Sequence, residues 1–561
     1  MPNLPSVYKP VVKSPETGPF SAAALVGANT ALVAWDVDAS YDRKPLLGFA
    51  IRRTSYDLAT GEISRCEWLE GQKRFKSDQD DLGLNVRSDK APFQRFRWND
   101  YTLTPGSAYL YEIFPMTKSP QGLTKGTPMT LTFVPAPPVA DGLGVYFNRG
   151  VTSAQAYLER FHNEPPAKVP DDAAYRWLSR GLKESLLEFI AGARENDELH
   201  VAIYEFHDAV VADALKQALA RKADVRIVYH AVDASDKTVR ESVQVLTDAG
   251  LTGVATPRTN AAKISHNKFV VLKRGGKPVR VWTGSANFSE AGFYLQTNMG
   301  MVIDDAKTAD AFEEYFKVLA GDPEPKPSAG GPGTKELVMG VMAAAEQAMQ
   351  GNPWKLYFSP VRGKHIVDAA VSLVQNAKSA IFMSTPFAMD KAIKDAIAAN
   401  DDRILEYGLA NATAKKAIEG LNRRNTRFFT PTTLETYLGR KWDAKAFGKH
   451  KIHAKTIVTD PWGPSPSVLV GSANFSDESC RDNDENALLA VGNTRLAAIV
   501  AAEFIRMFDH YKSRGFINAF YSDTTAQARY LAEDGSWSDV SFRATSPSHK
   551  FRDREVFAGN L

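Results

Sequence analysis

The chain reads as an α/β protein built from two pseudo-symmetric α/β domains packed together, with a small all-β sandwich in front of them. Three features carry that reading. The segment Ser265-His266-Asn267-Lys268-Phe269-Val270-Val271-Leu272 has a later twin, Lys451-Ile452-His453-Ala454-Lys455-Thr456-Ile457-Val458-Thr459-Asp460. Each twin is followed by Gly-Ser-Ala-Asn-Phe-Ser, at 284–289 and 471–476, with the glycine eighteen residues after the histidine both times. Around both motifs helical and strand patterns alternate, as α/β layering requires, whereas 20–136 offers only short strands and turns.

In chain order, β segments are expected at 30–35, 47–53, 95–98, 108–116 and 129–134. Residues 108–113 alternate apolar and polar side chains as a half-buried strand does. Leu103-Thr104-Pro105-Gly106-Ser107-Ala108-Tyr109 has the form of a tyrosine corner, and Trp35 is a candidate core residue. The segment resembles a fibronectin type III-like domain, expected over 1–138, with a structural, substrate-presenting or partner-binding role. Pro135-Ala136-Pro137-Pro138 is expected to close it as a stiff linker.

The first α/β domain is assigned to 139–322 and the second, with a C-terminal tail, to 336–561. They open on Val145-Tyr146-Phe147-Asn148 and Leu356-Tyr357-Phe358-Ser359. Helices are expected at 174–191 and 365–376, strands at 199–204 and 380–384, and further helices at 209–220 and 391–399. Strands at 224–229 and 403–407 then precede each motif, and a helix at 494–514 follows the second. Residues 323–335 lie in a Pro/Gly-rich stretch that reads as a flexible linker.

At 561 residues the chain has room for three or four domains of about 150 residues. A net charge of +3 implies no nucleic-acid or membrane partner by itself, so electrostatic selectivity has to come from local clustering. Cys66 and Cys480 make no disulfide framework and are expected as reduced thiols. The amino terminus lacks a signal-peptide pattern and no apolar run approaches the ~18 residues of a spanning helix. The expectation is a soluble cytoplasmic protein, with export by another route left open.

One His-x-Lys on a β segment is an ordinary surface or core pair, and Gly-Ser-Ala-Asn alone an ordinary turn. Duplication at equal spacing is what selects a catalytic reading. In a strand, side chains two apart share a face, so His266 with Lys268 and His453 with Lys455 can point one way. Ser285 with Asn287 and Ser472 with Asn474 have the same relation. Two such sets facing one another form a pocket for a tetrahedral anion, with cations and amides placed where charge develops.

These motifs resemble the phospholipase D superfamily, whose signature is H-x-K-x4-D followed by G-S-x-N. The second copy matches fully through His453, Lys455 and Asp460, and Asn483-Asp484-Glu485-Asn486 stands where the family has a glutamate bonded to a catalytic histidine. The first copy has Lys273 in place of the aspartate and Asn298 in place of the glutamate; the tyrosyl-DNA phosphodiesterase branch also lacks the aspartate. The resemblance implies a metal-independent phosphodiesterase working through a phosphohistidine. His266 would be the nucleophile and His453 the acid/base. Glu485 would orient an imidazole, and Asp460 would brace the strand. No cofactor or metal is called for: His450-Lys451-Ile452-His453 has ligand-like spacing, but no cysteine or carboxylate motif accompanies it.

Between Lys415 and Lys455 there are eleven Lys/Arg and three Asp/Glu, interleaved with Phe428, Phe429, Tyr437 and Trp442. This suits a nucleic-acid track, with Arg423, Arg424, Arg427 and Lys449 as substrate-binding candidates. A solvated basic face, or attraction to an anionic lipid headgroup, would use the same residues. Nuclease activity is the first expectation, a phospholipase D or phosphatidyltransferase the second. A nonhydrolysing scaffold that recruits a partner through the β domain is the third.

Overall fold

The computed structural model describes residues 4–76, 85–120, 122–150, 155–327, 330–430, 436–437, 440–441, 451–522 and 530–560. The candidate Lys449 lies outside them.

The amino-terminal region is a sandwich of two antiparallel sheets. One runs Val11–Lys13, Phe20–Val26, Ala31–Val37, Arg97–Asp100. The other runs Gly122–Lys125, Ser107–Ser119, Leu46–Asp57, Ile63–Trp68, with Met129–Phe133 also paired to Ser107–Ser119. Strand Phe20–Val26 escaped the sequence reading because its run of three alanines carries no β-branched alternation. Trp35 is buried with its ring 5.3 Å from that of Phe49, and Tyr109 Oη accepts from Thr104 N at 2.9 Å, closing the corner turn.

The sandwich is fastened to the carboxy-terminal half. Arg97 makes two 2.7 Å bonds to Asp509, Trp537 stacks on Phe96, and Trp537 Nε1 donates to Leu46 O at 2.8 Å. The expected stiff linker at Pro135–Pro138 is not a spacer: Ala136 is fully buried, its N–H donates to Gly27 O, and Arg495 donates to Pro137 O.

The two halves repeat one sheet. In the first the order is Leu143–Phe147, Met299–Ile303, Lys277–Gly284, Lys268–Arg274, Glu198–Ile203, Asp224–His230, Ala255–Arg258. A short strand, Val139–Ala140, adds at the edge. In the second it is Trp354–Ser359, Glu485–Val491, Ser467–Gly471, Lys455–Thr459, Ala380–Ser384, Leu405–Leu409, Thr426–Phe429. The strands flanked on both sides read as unbroken apolar runs, such as the fully buried Phe269-Val270-Val271-Leu272, because helices cover both faces.

Helix Ala209–Ala220 returns the chain between the parallel strands of the first half, as Lys391–Ala399 does in the second. Both begin at an aspartate N-cap. Asp208 accepts from Val211 N and pairs with Lys183 at 2.8 Å; Asp390 accepts from Ala392 N and pairs with Lys364 at 2.9 Å.

One apolar cluster joins the halves. It includes Phe269, Val271, Met299 and Met301 from the first sheet, Phe358, Phe382, Val458 and Leu488 from the second, and Phe312 and Tyr315 from helix Ala306–Ala320. Helix Thr494–Ser522, longer than the expected 494–514, contributes Leu496, Val500 and Phe504.

The helix expected at 174–191 is two, Ala173–Ser179 and Leu182–Ala191. Arg180 and Gly181 between them take left-handed φ of 49° and 91°, and Gly181 supplies that conformation without steric cost. The strand expected at 403–407 is Leu405–Leu409. The inter-half connection, expected to be flexible, is pinned at its start. Asp322 accepts from Arg258 Nη1, Thr259 Oγ1 and Asn260 N, and helix Thr334–Ala348 already includes 334 and 335. Among the described residues no helix is long and apolar enough to cross a membrane.

Candidate active site

Each motif histidine sits just ahead of a central strand, on a short segment that leaves its own half and pairs with the other. Residues 263–266 run parallel to 482–484: Lys263 N donates to Asp482 O, Asp484 N to Ile264 O, and His266 N to Asp484 O. Residues 451–454 run parallel to Gln296–Thr297, with His453 N and Ala454 N both donating to Thr297 O. Arg258, with no exposed surface, reinforces the first crossing through Asp484 at 3.1 Å.

The consequence is an exchange of braces. Glu485, on the second half, accepts from His266 Nδ1 at 2.8 Å. Asn298, on the first half, lies 2.8 Å from His453 Nδ1 through its Oδ1. Each brace is held by the serine of its own half: Ser472 Oγ donates to Glu485 Oε2 and Ser285 Oγ to Asn298 Oδ1, both at 2.8 Å.

These contacts fix both tautomers. Asn298 Nδ2 donates to Gly292 O at 2.9 Å, so Oδ1 is the atom facing His453, and His453 Nδ1 must carry the hydrogen. Glu485, when ionised, likewise requires the hydrogen on His266 Nδ1. That leaves the lone pair on Nε2 of each ring, and His453 Nε2 faces Lys455 Nζ at 3.3 Å. The motif glycines make this possible. A Cβ on Gly284 would collide with Met299 O and one on Gly471 with Asn486 O, preventing the close approach that seats each serine.

Lys268 and Lys455 have no exposed surface. Lys268 Nζ donates to the carbonyl of His266 and lies 5.1 Å from the ring centre of Tyr204; Lys455 Nζ lies 3.3 Å from His453 Nε2 and 5.3 Å from the ring centre of Phe387. The Tyr204 and Phe387 rings flank His266 and His453 at 5.0 and 5.5 Å. Asn287 Oδ1 and Asn474 Oδ1 are buried without a partner among the described residues. Unsatisfied buried oxygens at matching places in both halves are what a site built for a polar ligand leaves open.

Burial, then repulsion, sets the charge states. Burial pushes His266 well below the ordinary imidazole range, and Lys268, Lys455 and His230 push the same way. His453 is depressed by burial, then by Lys455, Lys268 and His266. Each imidazole bonds a residue of the other half, Glu485 for His266 and Asn298 for His453, so both lie at the seam between the halves. Burial lowers Lys268 to about 7 and holds Lys455 well below its usual value, while it raises Glu485 to about 7. A bound anion would reverse the penalty on the cations.

The other candidates fall elsewhere. Asp460, at φ 51°, accepts from Lys378 N, Ser379 N, Ser379 Oγ and Ala380 N, tying the end of the motif strand to its neighbour. Lys273, its counterpart, pairs with Glu198 and Glu313. That cluster includes Glu198, His200 and Asp224, which have metal-ligand proximity, but Lys273 Nζ already sits 2.8 Å from Glu198 and Glu313 2.7 Å from His200 Nδ1. It lies at the far end of the strand from Ile203, which pairs with Lys268.

Arg423 donates to the carbonyls of Ile397 and Ala398 and pairs with Glu406. Arg427 bonds the carbonyls of Arg423, Thr426 and Pro547, and Arg424 lies 3.6 Å from Asp402. Their guanidinium groups are engaged within the fold, a use that sequence clustering does not distinguish from a substrate track.

Sequence reasoning put Asn298 in the glutamate's place without assigning it to His453, read 204–208 with Tyr204 as pocket edge or core packing, and missed Phe387 and His230 as neighbours of the motif. One signal for Asn298 was present: it follows Ser285 by the same thirteen residues that separate Glu485 from Ser472.

Paired imidazoles and paired buried ammoniums gathered at the seam of the two halves are those of a phosphoryl-transfer enzyme of phosphodiesterase type. The family described as "Cardiolipin synthase, PLD-like domain" matches residues 186–320 and again 371–508, once in each half. The chain belongs to the phospholipase D superfamily.

Solved structures of similar fold include phosphatidylserine synthase of Haemophilus influenzae, 15% identical over 58% of this chain and 84% of that one, TM-score 0.39. The phospholipase D family member Nuc of Salmonella typhimurium is 24% identical over 24% of this chain and 84% of that one, TM-score 0.21. Yeast tyrosyl-DNA phosphodiesterase is 11% identical over 56% and 88%, TM-score 0.32. No curated protein matches the chain.

Proposed function

We propose that this chain cleaves or transfers phosphodiesters by two displacements at phosphorus, with His266 as nucleophile and His453 as proton carrier. The observation that carries the proposal is the unequal exchange of braces. Attack by His266 Nε2 leaves an imidazole bearing a phosphoryl group on one nitrogen and a hydrogen on the other, which is cationic; the Glu485 carboxylate at 2.8 Å stabilises that charge. Asn298 offers His453 only an amide dipole, so a proton on His453 Nε2 is released readily to the leaving oxygen and later recovered from water or an alcohol. Lys268 and Lys455, together with the Nδ2 donors of Asn287 and Asn474, would hold the nonbridging oxygens. The scheme asks nothing of a metal.

Nucleic acid is the first substrate reading, supported by the exposed Lys415, Lys416 and Lys451 beside the second motif. Membrane phospholipid is the second, and the description of the matching family, a cardiolipin synthase, favours it.

The test is incubation of the chain, with chelator present, with labelled single-stranded DNA, duplex DNA, RNA and phospholipid vesicles. Chelator-resistant cleavage of a nucleic acid supports the first reading, and turnover of lipid alone replaces it with the second. Loss of all turnover on chelation overturns the mechanism.

A further inference from the structure

The site's two-fold pattern breaks at a residue that the chemistry above does not use. Glu205 follows Tyr204 on the turn between strand Glu198–Ile203 and helix Ala209–Ala220. That turn is zipped to the Gly-Ser-Ala-Asn-Phe-Ser segment: Phe288 N donates to Glu205 O at 3.0 Å and His207 N to Phe288 O at 2.7 Å. In the second half Asp390 N donates to Phe475 O at 2.7 Å, and Met389 bridges Phe475 as Phe206 bridges Phe288. The residue before each bridge is Glu205 in one half and Ala388 in the other. One wall of the pocket carries a carboxylate where its mirror carries a methyl group.

The carboxylate is half-buried, beside the site. Its recorded hydrogen bond is a 3.4 Å contact from Ser289 Oγ, two residues from Asn287, and its negative charge bears on both Lys268 and Lys455. A carboxylate can accept about four hydrogen bonds, so among the described residues most of its capacity is unused. An acceptor-only group at the wall of a site for an anion repels the phosphoryl oxygens. It is favourable only if it meets a donor.

Resting on the phosphodiesterase reading, we propose that Glu205 recognises a hydrogen-bond-donating group, hydroxyl or ammonium, on one ester arm of the diester. Tyr204 forms the adjoining wall. The mirror position, Ala388, leaves the other arm unselected, so the two ester arms are told apart.

Two sources of such a group are compared in matched pairs: an RNA against a DNA oligonucleotide of one sequence, and phosphatidylglycerol against phosphatidylmethanol vesicles. The full-length chain is expected to prefer the donor-bearing member of at least one pair. Glu205→Gln is expected to shrink that preference at least fivefold, chiefly through KM, and Glu205→Ala to do the same. A preference that stays within twofold while kcat falls on both members would overturn the proposal, since the carboxylate would then only balance the lysine charges. Absence of any preference in the unmodified chain would also overturn it. If the unmodified chain turns over no diester, the phosphodiesterase reading fails instead. Calorimetric titration of the same pairs into the His453→Ala chain still decides the role of Glu205, because the affinity ratio should collapse only when Glu205→Gln is added.

Discussion

The two halves share a strand order, an aspartate-capped helix with its lysine partner and a glycine that seats a serine, yet they differ where they touch the histidines. His266 leans on a carboxylate and His453 on an amide; Tyr204 flanks one and Phe387 the other. The strand ends that carry Lys273 and Asp460 are tied by opposite charges. Duplication supplies a symmetric scaffold, and a handful of unequal side chains turns it into a site with two distinguishable ends. Because each brace comes from the opposite half, neither half is complete alone.

The largest effect expected from breaking this comparison is at the histidines. His266→Ala should abolish turnover of every diester. His453→Ala should lose about 10²–10⁴-fold on a diester with a poor leaving group, yet retain much of the first-turnover rate of p-nitrophenol release from bis(p-nitrophenyl) phosphate, whose leaving group needs no proton, before stalling at the second displacement. Equal losses on both substrates would show that the histidines are not divided by role.

Next come the braces. Glu485→Gln should lower kcat more than Asn298→Ala, because only the former removes a charge from the phosphohistidine. The reverse order would transfer the nucleophile's role to His453. Glu485 also makes a pH prediction. Burial raises its folded value to about 7 from 4.5, so the folded chain holds a proton that the unfolded chain releases over that range. Its stabilisation is therefore present below about 4.5 and lost as pH rises through 7. Calorimetry should find that the Tm of the unmodified chain, relative to Glu485→Gln, falls between pH 4.5 and 7; a constant difference contradicts the assignment.

The smallest effects are expected at the strand ends. Asp460→Ala strands the N–H groups of Lys378, Ser379 and Ala380 and should cost about 2–3 kcal/mol. Lys273→Met, at a partly exposed pair, should cost about 1 kcal/mol. Denaturant titration ranks them, and an equal or inverted order would mean that the two strand ends are not tied as described.

The alternation of apolar strands and amphipathic helices made both α/β sheets legible, and equal motif spacing made the paired histidines, lysines and asparagines of the candidate site legible. What stayed hidden depends on contacts across the pseudo-two-fold. Glu485 lies in the second copy by sequence and serves the first copy's histidine, because residues 263–266 and 451–454 cross over to the opposite half. Local pattern carries no record of such a crossing. Arg423 and Arg427 show the converse: their clustering suggested a substrate track, while their guanidinium groups satisfy carbonyls left open by neighbouring turns. The alanine-rich strand Phe20–Val26 was missed because its pattern is set by packing between two sheets rather than by propensity.

Covalent trapping tests the division of labour most directly. Mixing the His453→Ala chain with bis(p-nitrophenyl) phosphate, quenching and mapping the adduct by mass spectrometry should show a burst of one p-nitrophenol per chain and a p-nitrophenylphosphoryl group on His266. An adduct on His453 in the unmodified chain, or steady turnover with no adduct on either histidine, would contradict the account.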